Sequence, residues 1–189
     1  VLSAVFDFFD GFVARLLKVS SDIGKELDSL ADVISFGFAP AALVCNMFKD
    51  YPYSESMFWI APYLPYAAFI IAAFSAVRLA KFNLDTRQSH SFIGMPTPAN
   101  ALLIIGIANA PLLQVAWTTP VWGLIFLFSL IALTSYLLVC ELPMFSLKTP
   151  SKLPLIFAIS ALVLTIALLC FGFGLLGLAI SMVAYIIAS

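Results

Sequence analysis

The sequence predicts an all-α fold: a polytopic bundle of transmembrane helices forming a single integral membrane domain over residues 1–189. Three observations predict it. Of the 189 residues 63% are hydrophobic and only 10% charged, with a mean hydropathy of +1.10, whereas a soluble domain carries about a quarter charged residues. Apolar runs of roughly 18 residues or more recur, each long enough to cross the hydrocarbon core as a helix. The connections between them alternate between basic and nearly uncharged. The net charge of −1 says nothing about nucleic acid, and the sequence has no basic stripe that would bind it.

About seven apolar segments are expected, near 1–17, 27–48, 57–80, 97–115, 119–140, 153–171 and 174–188. Only six residues precede Asp7, so the first segment is expected to lack its outer end, with one further helix upstream. Ser20, Ser21, Asp22 and Gly24 predict the turn that brings segment 2 back antiparallel to segment 1. Pro96 and Pro98 fix the entry to segment 4. Gly172, Gly174 and Gly177 mark the tight turn before the last segment.

Loop charge orients these segments. Arg15, Lys18 and Lys25 follow segment 1; Arg78, Lys81 and Arg87 follow segment 3; Lys148 and Lys152 follow segment 5. The alternate connections carry Lys49, offset by Asp50 and Glu55, or no charge. The positive-inside rule puts the basic connections in the cytoplasm. Trp59, Trp117, Trp122, Tyr51, Tyr53 and Tyr63 then collect at the outer interface, as an aromatic belt would. Cys45, Cys140 and Cys170 all sit in apolar segments and read as small packing residues. His90 reads as a solvated loop residue.

Four aspartates break this pattern. Residues three or four apart share a helix face. Asp7, Asp10, Gly11 and Ala14 therefore line one face of segment 1, and Asp28, Ala31, Asp32, Ser35 and Ala39 one face of segment 2. Antiparallel pairing brings the four carboxylates together near one end of the helix pair. Each unpaired carboxylate costs about 2.5–3.5 kcal/mol on insertion scales. Protonation or pairing with Arg15, Lys18 or Lys25 relieves part of this. Two divalent cations neutralise all four charges, and carboxylate oxygens are the ligands Mg²⁺ and Mn²⁺ prefer. Two such ions clamp the attacking and leaving oxygens in phosphoryl chemistry.

The string Asp7-x2-Asp10-Gly11-x2-Ala14-Arg15-x8-Gly24-x3-Asp28-x3-Asp32 resembles the signature of the CDP-alcohol phosphatidyltransferase family at every fixed position. The resemblance implies transfer of a phosphatidyl-type group from a CDP-linked lipid to an alcohol, with release of CMP. It implies Asp7, Asp10, Asp28 and Asp32 as ligands of two Mg²⁺ or Mn²⁺ ions, with Asp32 also the general base. It implies Gly11 and Arg15 in contact with the CDP part, Gly24 giving close backbone approach to the nucleotide, and a homodimer. Residues 1–48 would be the helix pair that carries the catalytic motif.

The acceptor is read from a second stretch. "RLAKFN" at 78–83, "FIGMPTPANA" at 92–101 and "SFGFAPA" at 35–41 resemble the phosphatidylserine synthase branch of that family. This implies CDP-diacylglycerol and L-serine as substrates in phospholipid biosynthesis, with residues 78–101 on the acceptor side. Arg78 and Lys81 stand level with the aspartates in the expected topology and are candidates for the serine carboxylate. Their other reading is positive-inside anchoring. Asn83 and Asn100 are weaker candidates for the ammonium. Glycerol 3-phosphate or inositol phosphate remain alternative acceptors, although a phosphorylated acceptor calls for more basic residues than Arg78 and Lys81. A cation-coupled transporter is the distant alternative. It fits poorly with a second half whose only carboxylate is Glu141. The expected location is the cell (inner) membrane, with the site facing the cytoplasm.

Overall fold

The computed structural model describes residues 22–84, 92–120, 122–141, 143–144 and 152–188. Segment 1, with Asp7, Asp10, Gly11 and Arg15, lies outside the described residues, as do Arg87, His90 and Lys148. Helix α1 spans Asp22–Asp32 and runs through a π-helical turn, Val33–Phe38, into α2, Ala39–Lys49. The turn is marked by an i→i+5 bond, Ala39 N–H to the Ile34 carbonyl. Helix α3 covers Ile70–Leu84, preceded by 3₁₀ turns at Glu55–Met57 and Leu64–Phe69. Helices α4, Thr97–Ala108, and α5, Pro111–Thr118, are followed by α6, Trp122–Val139. Helices α7, Lys152–Cys170, and α8, Leu176–Ala188, complete the order.

Among the described residues, three helical stretches are long and apolar enough to cross a membrane: Glu26–Lys49, Leu64–Leu84 and Trp122–Val139. The pair α4 and α5 makes a fourth if counted as one broken span. The chain is an all-α membrane protein.

Four expectations change in detail. Segment 4 is not straight: α4 and α5 meet at 83°. Pro111 has no N–H to continue the ladder and opens α5 instead. Segment 3 is a long helix only from Leu64: Pro62 interrupts regular hydrogen bonding before it, and Pro65 sits in its first turn, where a missing N–H is tolerated. Gly24 lies inside α1 rather than in the turn before it. The π-turn also shifts the helical phase after Asp32, so the face drawn through Ser35 and Ala39 does not continue as α-periodicity would have it: Ser35 is half-buried and Ala39 exposed.

The main core joins α2, α3, α4 and α6. Ala41, Val44, Met47 and Phe48 meet Ile71, Ile104, Leu127 and Ile131. The close approach of α3 to the π-turn depends on Gly37, where an added Cβ would lie 2.9 Å from Ser75 Cβ. Small residues admit such contacts between membrane helices. A second cluster, Met95, Leu103, Leu137, Ala179 and Tyr185, docks α8 against α4. At the opposite end of the bundle from Arg78, the Tyr51 hydroxyl donates to the Pro120 carbonyl. The aromatic belt is divided: Trp59, Tyr63 and Trp122 are exposed, whereas Tyr51 and Trp117 are buried and pack the loops together.

The connection after α3 is more ordered at its far end than a polar loop requires. Strand β1, Phe92–Ile93, pairs antiparallel with β2, Pro143–Met144, in the register Phe92 to Met144 and Ile93 to Pro143. Gly94 follows at φ 79°, a conformation that favours glycine. A Cβ there would sit 2.8 Å from the Cys140 carbonyl oxygen. Met95 N–H then donates to the Leu137 carbonyl at 3.0 Å, and the extended Pro96 starts α4. Residues 92–96 thus form a strap from the end of α6 to the start of α4.

Candidate active site

Helix α1 places Gly24, Asp28 and Asp32 at successive four-residue steps, which puts all three on one face. Gly24 and Asp28 are exposed, and Asp32 is half-buried where α1 passes into the π-turn. The helix forms because Lys25, Glu26, Leu27 and Leu30 are good helix formers and no proline interrupts the run. The side chain of Asn83, at the end of α3, donates from Nδ2 to Ser29 Oγ at 3.0 Å. This bond holds the aspartate helix alongside the helix that carries Arg78.

Arg78 is buried on α3, at 6% exposure. Its Nε–H donates to the Met95 carbonyl at 3.1 Å, and its guanidinium carbon lies 5.0 Å from the centroid of the Phe82 ring. The carboxylate of Asp32 and the phenol of Tyr185 both act on it electrostatically. A buried guanidinium is tolerable only with hydrogen-bonding and charged partners. The strap supplies the first, and the Asp32 carboxylate is near enough to act on the guanidinium electrostatically. The Met95 contact also fixes the plane of the guanidinium, and with it the direction of its Nη edge. Lys81, one turn further on, is exposed.

The structure therefore brings Asp32 and Arg78 together, keeps Gly24 and Asp28 on the Asp32 face, and leaves Lys81 on the surface. Asp28 and Asp32 offer hard carboxylate oxygens one helical turn apart. That donor set suits Mg²⁺ or Mn²⁺, and it is half of the expected ligand set. Among the described residues no three His, Cys, Asp or Glu side chains cluster as a metal site; Asp7 and Asp10 lie outside them. Of the ammonium candidates, Asn83 is bonded to Ser29 and Asn100 is fully buried on α4.

Sequence reading missed the Met95 carbonyl and Tyr185. A backbone acceptor has no residue signature, and Tyr185 stands in a segment whose composition is generic. The spacing Arg78 to Phe82, one helical turn, was the available signal for the ring contact.

Comparison with known proteins is consistent with this geometry. The model of the CDP-alcohol phosphatidyltransferase family matches residues 1–131. A protein of Mycobacterium leprae named CDP-diacylglycerol–serine O-phosphatidyltransferase is 37% identical over 161 residues, covering 80% of this chain and 49% of that protein. Proteins of the same name from Helicobacter pylori and Methanocaldococcus jannaschii are 43% and 42% identical. They cover 56% and 57% of this chain, and 42% and 47% of their own lengths. The chain spans about half the length of these curated relatives.

Proposed function

Because the chain belongs to the CDP-alcohol phosphatidyltransferase family, we propose that its protein transfers a phosphatidyl group from CDP-diacylglycerol to the hydroxyl of L-serine. The serine oxygen attacks the lipid-linked phosphorus, the pyrophosphate bond breaks, CMP leaves with the bridging oxygen, and the hydroxyl proton goes to Asp32. The products are phosphatidylserine and CMP. The site is read as facing the cytoplasm from the cell membrane, because the loop charges of the sequence orient the helices that way by the positive-inside rule.

Asp7, Asp10, Asp28 and Asp32 would hold two divalent cations, Mg²⁺ or Mn²⁺, which when bound supply positive charge to the pyrophosphate and the departing phosphate. The remaining roles belong to the protein. Gly11 leaves room for the pyrophosphate, and the planar fork of Arg15 holds its oxygens. Gly24, with no side chain, allows the nucleotide to approach the backbone of α1. Asp32 accepts the proton of the acceptor hydroxyl within hydrogen-bond reach. Arg78 holds the serine carboxylate, with Lys81 the weaker candidate.

The observation that supports serine is the buried guanidinium of Arg78, held by the Met95 carbonyl within the electrostatic reach of Asp32. A buried guanidinium, oriented by the Met95 carbonyl and acted on by the Asp32 carboxylate, suits an acceptor with one carboxylate and one hydroxyl. The names of the relatives support the same acceptor. The test is CMP release from CDP-diacylglycerol by the full chain in detergent, with Mg²⁺ or Mn²⁺. Serine should drive release. Faster release with glycerol 3-phosphate or inositol phosphate would replace serine, and no CDP-diacylglycerol turnover with any alcohol would remove the transferase reading.

A further inference from the structure

Among the described residues, five side chains hold buried polar atoms without a hydrogen-bond partner: Tyr53 and Trp117, on the side of the outer loops, and Ser75, Asn100 and Ser135 within the helices. The last three are 0%, 0% and 3% exposed. Both polar atoms of Asn100 are in this state. Buried amides and hydroxyls are ordinarily paired, and an unpaired one costs stability.

Helical phase puts the three at a common level. Helices α3, α4 and α6 pack against one another. Each contributes an isoleucine to the same apolar core: Ile71, Ile104 and Ile131. Four residues along each helix, on the same face, stands one of the unpaired groups: Ser75 after Ile71, Asn100 before Ile104 and Ser135 after Ile131. Helix α4 runs opposite to the other two, so all three steps lead the same way, toward the end that holds Arg78 and the strap. Arg78 is one turn beyond Ser75 on the same face. Met95, whose carbonyl holds Arg78, leads into the helix of Asn100, and Leu137, whose carbonyl holds Met95, is two residues beyond Ser135.

We propose that this layer is the ammonium subsite of the acceptor pocket, taking the α-amino group of a small zwitterionic hydroxy-amino acid whose carboxylate lies on Arg78. The inference rests on the serine reading above. Asn100 Oδ1, Ser75 Oγ and Ser135 Oγ offer three acceptor oxygens for the three N–H donors of an ammonium. Among the described residues, none of the three positions carries a cation to repel that charge. One helical turn, about 5 Å, separates it from the guanidinium level, a span that the two charged ends of one amino acid can bridge with their partners' side chains. An acceptor without an amino group leaves these oxygens unpaired, which is how a site built for hydrogen bonds rejects such an analogue.

The test uses the full chain in detergent with serine as substrate and 3-hydroxypropionate, which is serine without its amino group, as competitor. Asn100→Leu should raise KM for serine about ten- to a hundred-fold. It should leave KM for CDP-diacylglycerol and the inhibition constant of 3-hydroxypropionate unchanged. The melting temperature should hold or rise, because an apolar group of similar size replaces an unpaired buried amide. Ser75→Ala and Ser135→Ala, which keep the Cβ and so the packing, should each raise KM for serine several-fold; they carry the test if Asn100→Leu does not fold. An unchanged serine KM in the variants would overturn the subsite and make the layer structural. A parallel rise for serine and 3-hydroxypropionate would overturn it too. Either result leaves the transferase reading intact, whereas wild-type protein inactive on serine would fail that reading first.

Discussion

Arg78 puts a full charge among membrane helices, where every uncompensated charge is expensive, and the compensation is visible in Met95, Phe82 and Asp32. The predictions at this scale concern the two arginines and the four aspartates. Arg78→Ala should raise KM for serine about ten- to a hundred-fold, since a charge-assisted hydrogen bond is worth about 1.5–3 kcal/mol and a decade about 1.4 kcal/mol. Arg78→Lys should recover less than its charge suggests, because an ammonium cannot bond Met95 and present a planar fork together. Arg15→Ala should instead weaken CDP-diacylglycerol, so steady-state kinetics with each substrate varied separates the two arginines. Asp7→Asn, Asp10→Asn, Asp28→Asn and Asp32→Asn should each lower turnover by orders of magnitude, and EDTA should abolish it until Mg²⁺ or Mn²⁺ is restored. Full turnover in EDTA would remove the metal-dependent mechanism. The candidate residues were legible because charge is conspicuous in an apolar chain. Ser75 and Ser135 were not, because a serine within a hydrophobic run has the same appearance whether it bonds its own helix or lacks a partner among the described residues.

At the scale of elements, two glycines set how close the helices and the strap approach. Gly37→Ala would place a Cβ 2.9 Å from that of Ser75, and neither atom is the tip of a flexible side chain. Overpacking of this kind costs about 1–3 kcal/mol. Gly94→Ala forces alanine to φ 79° and against the Cys140 carbonyl, at a strain of about 1–3 kcal/mol. Both should lower the thermal unfolding midpoint in detergent, and Gly94→Ala should also raise KM for serine by loosening the Met95 hold on Arg78. A Gly37→Ala midpoint equal to wild type would mean that α3 does not press on the π-turn. Long apolar runs announced the helices, since length and hydropathy decide them. The strap was hidden because its partners, Pro143 and Met144, are remote in sequence and only two residues pair. The 83° bend was hidden because an apolar run reads alike whether or not Pro111 turns it.

Across the whole molecule, loop charge predicts which surface each connection reaches. In a background without native cysteines, Arg87→Cys and Pro150→Cys should react with an impermeant thiol reagent only from the cytoplasmic side, and Ser54→Cys only from outside. The reverse labelling would invert the topology and move the site to the other face. The fold class was readable from composition because the bilayer demands helices whose backbones bond internally. The distribution of aromatic residues was less readable. Trp117 and Tyr51 carry the same amphipathic rings as Trp59 and Trp122, yet loop packing takes them inside.

The turn at Val33–Phe38 bears on how this chain tolerates changes in length. Each residue of an α-helix advances the side chains by about 100°. Removing one between Asp32 and Val44 from regular α-helix would therefore swing Asp28 and Asp32 away from the face set by Val44 and Phe48. The π-turn, however, already accommodates one residue more than an α-helix would use over the same arc. Deleting the exposed Ile34 would let the hydrogen bonds close as i→i+4 while both flanks keep their rotational phase. Between Asp32 and Val44, a single-residue gap should thus be borne within this turn and not in the regular helix that follows it.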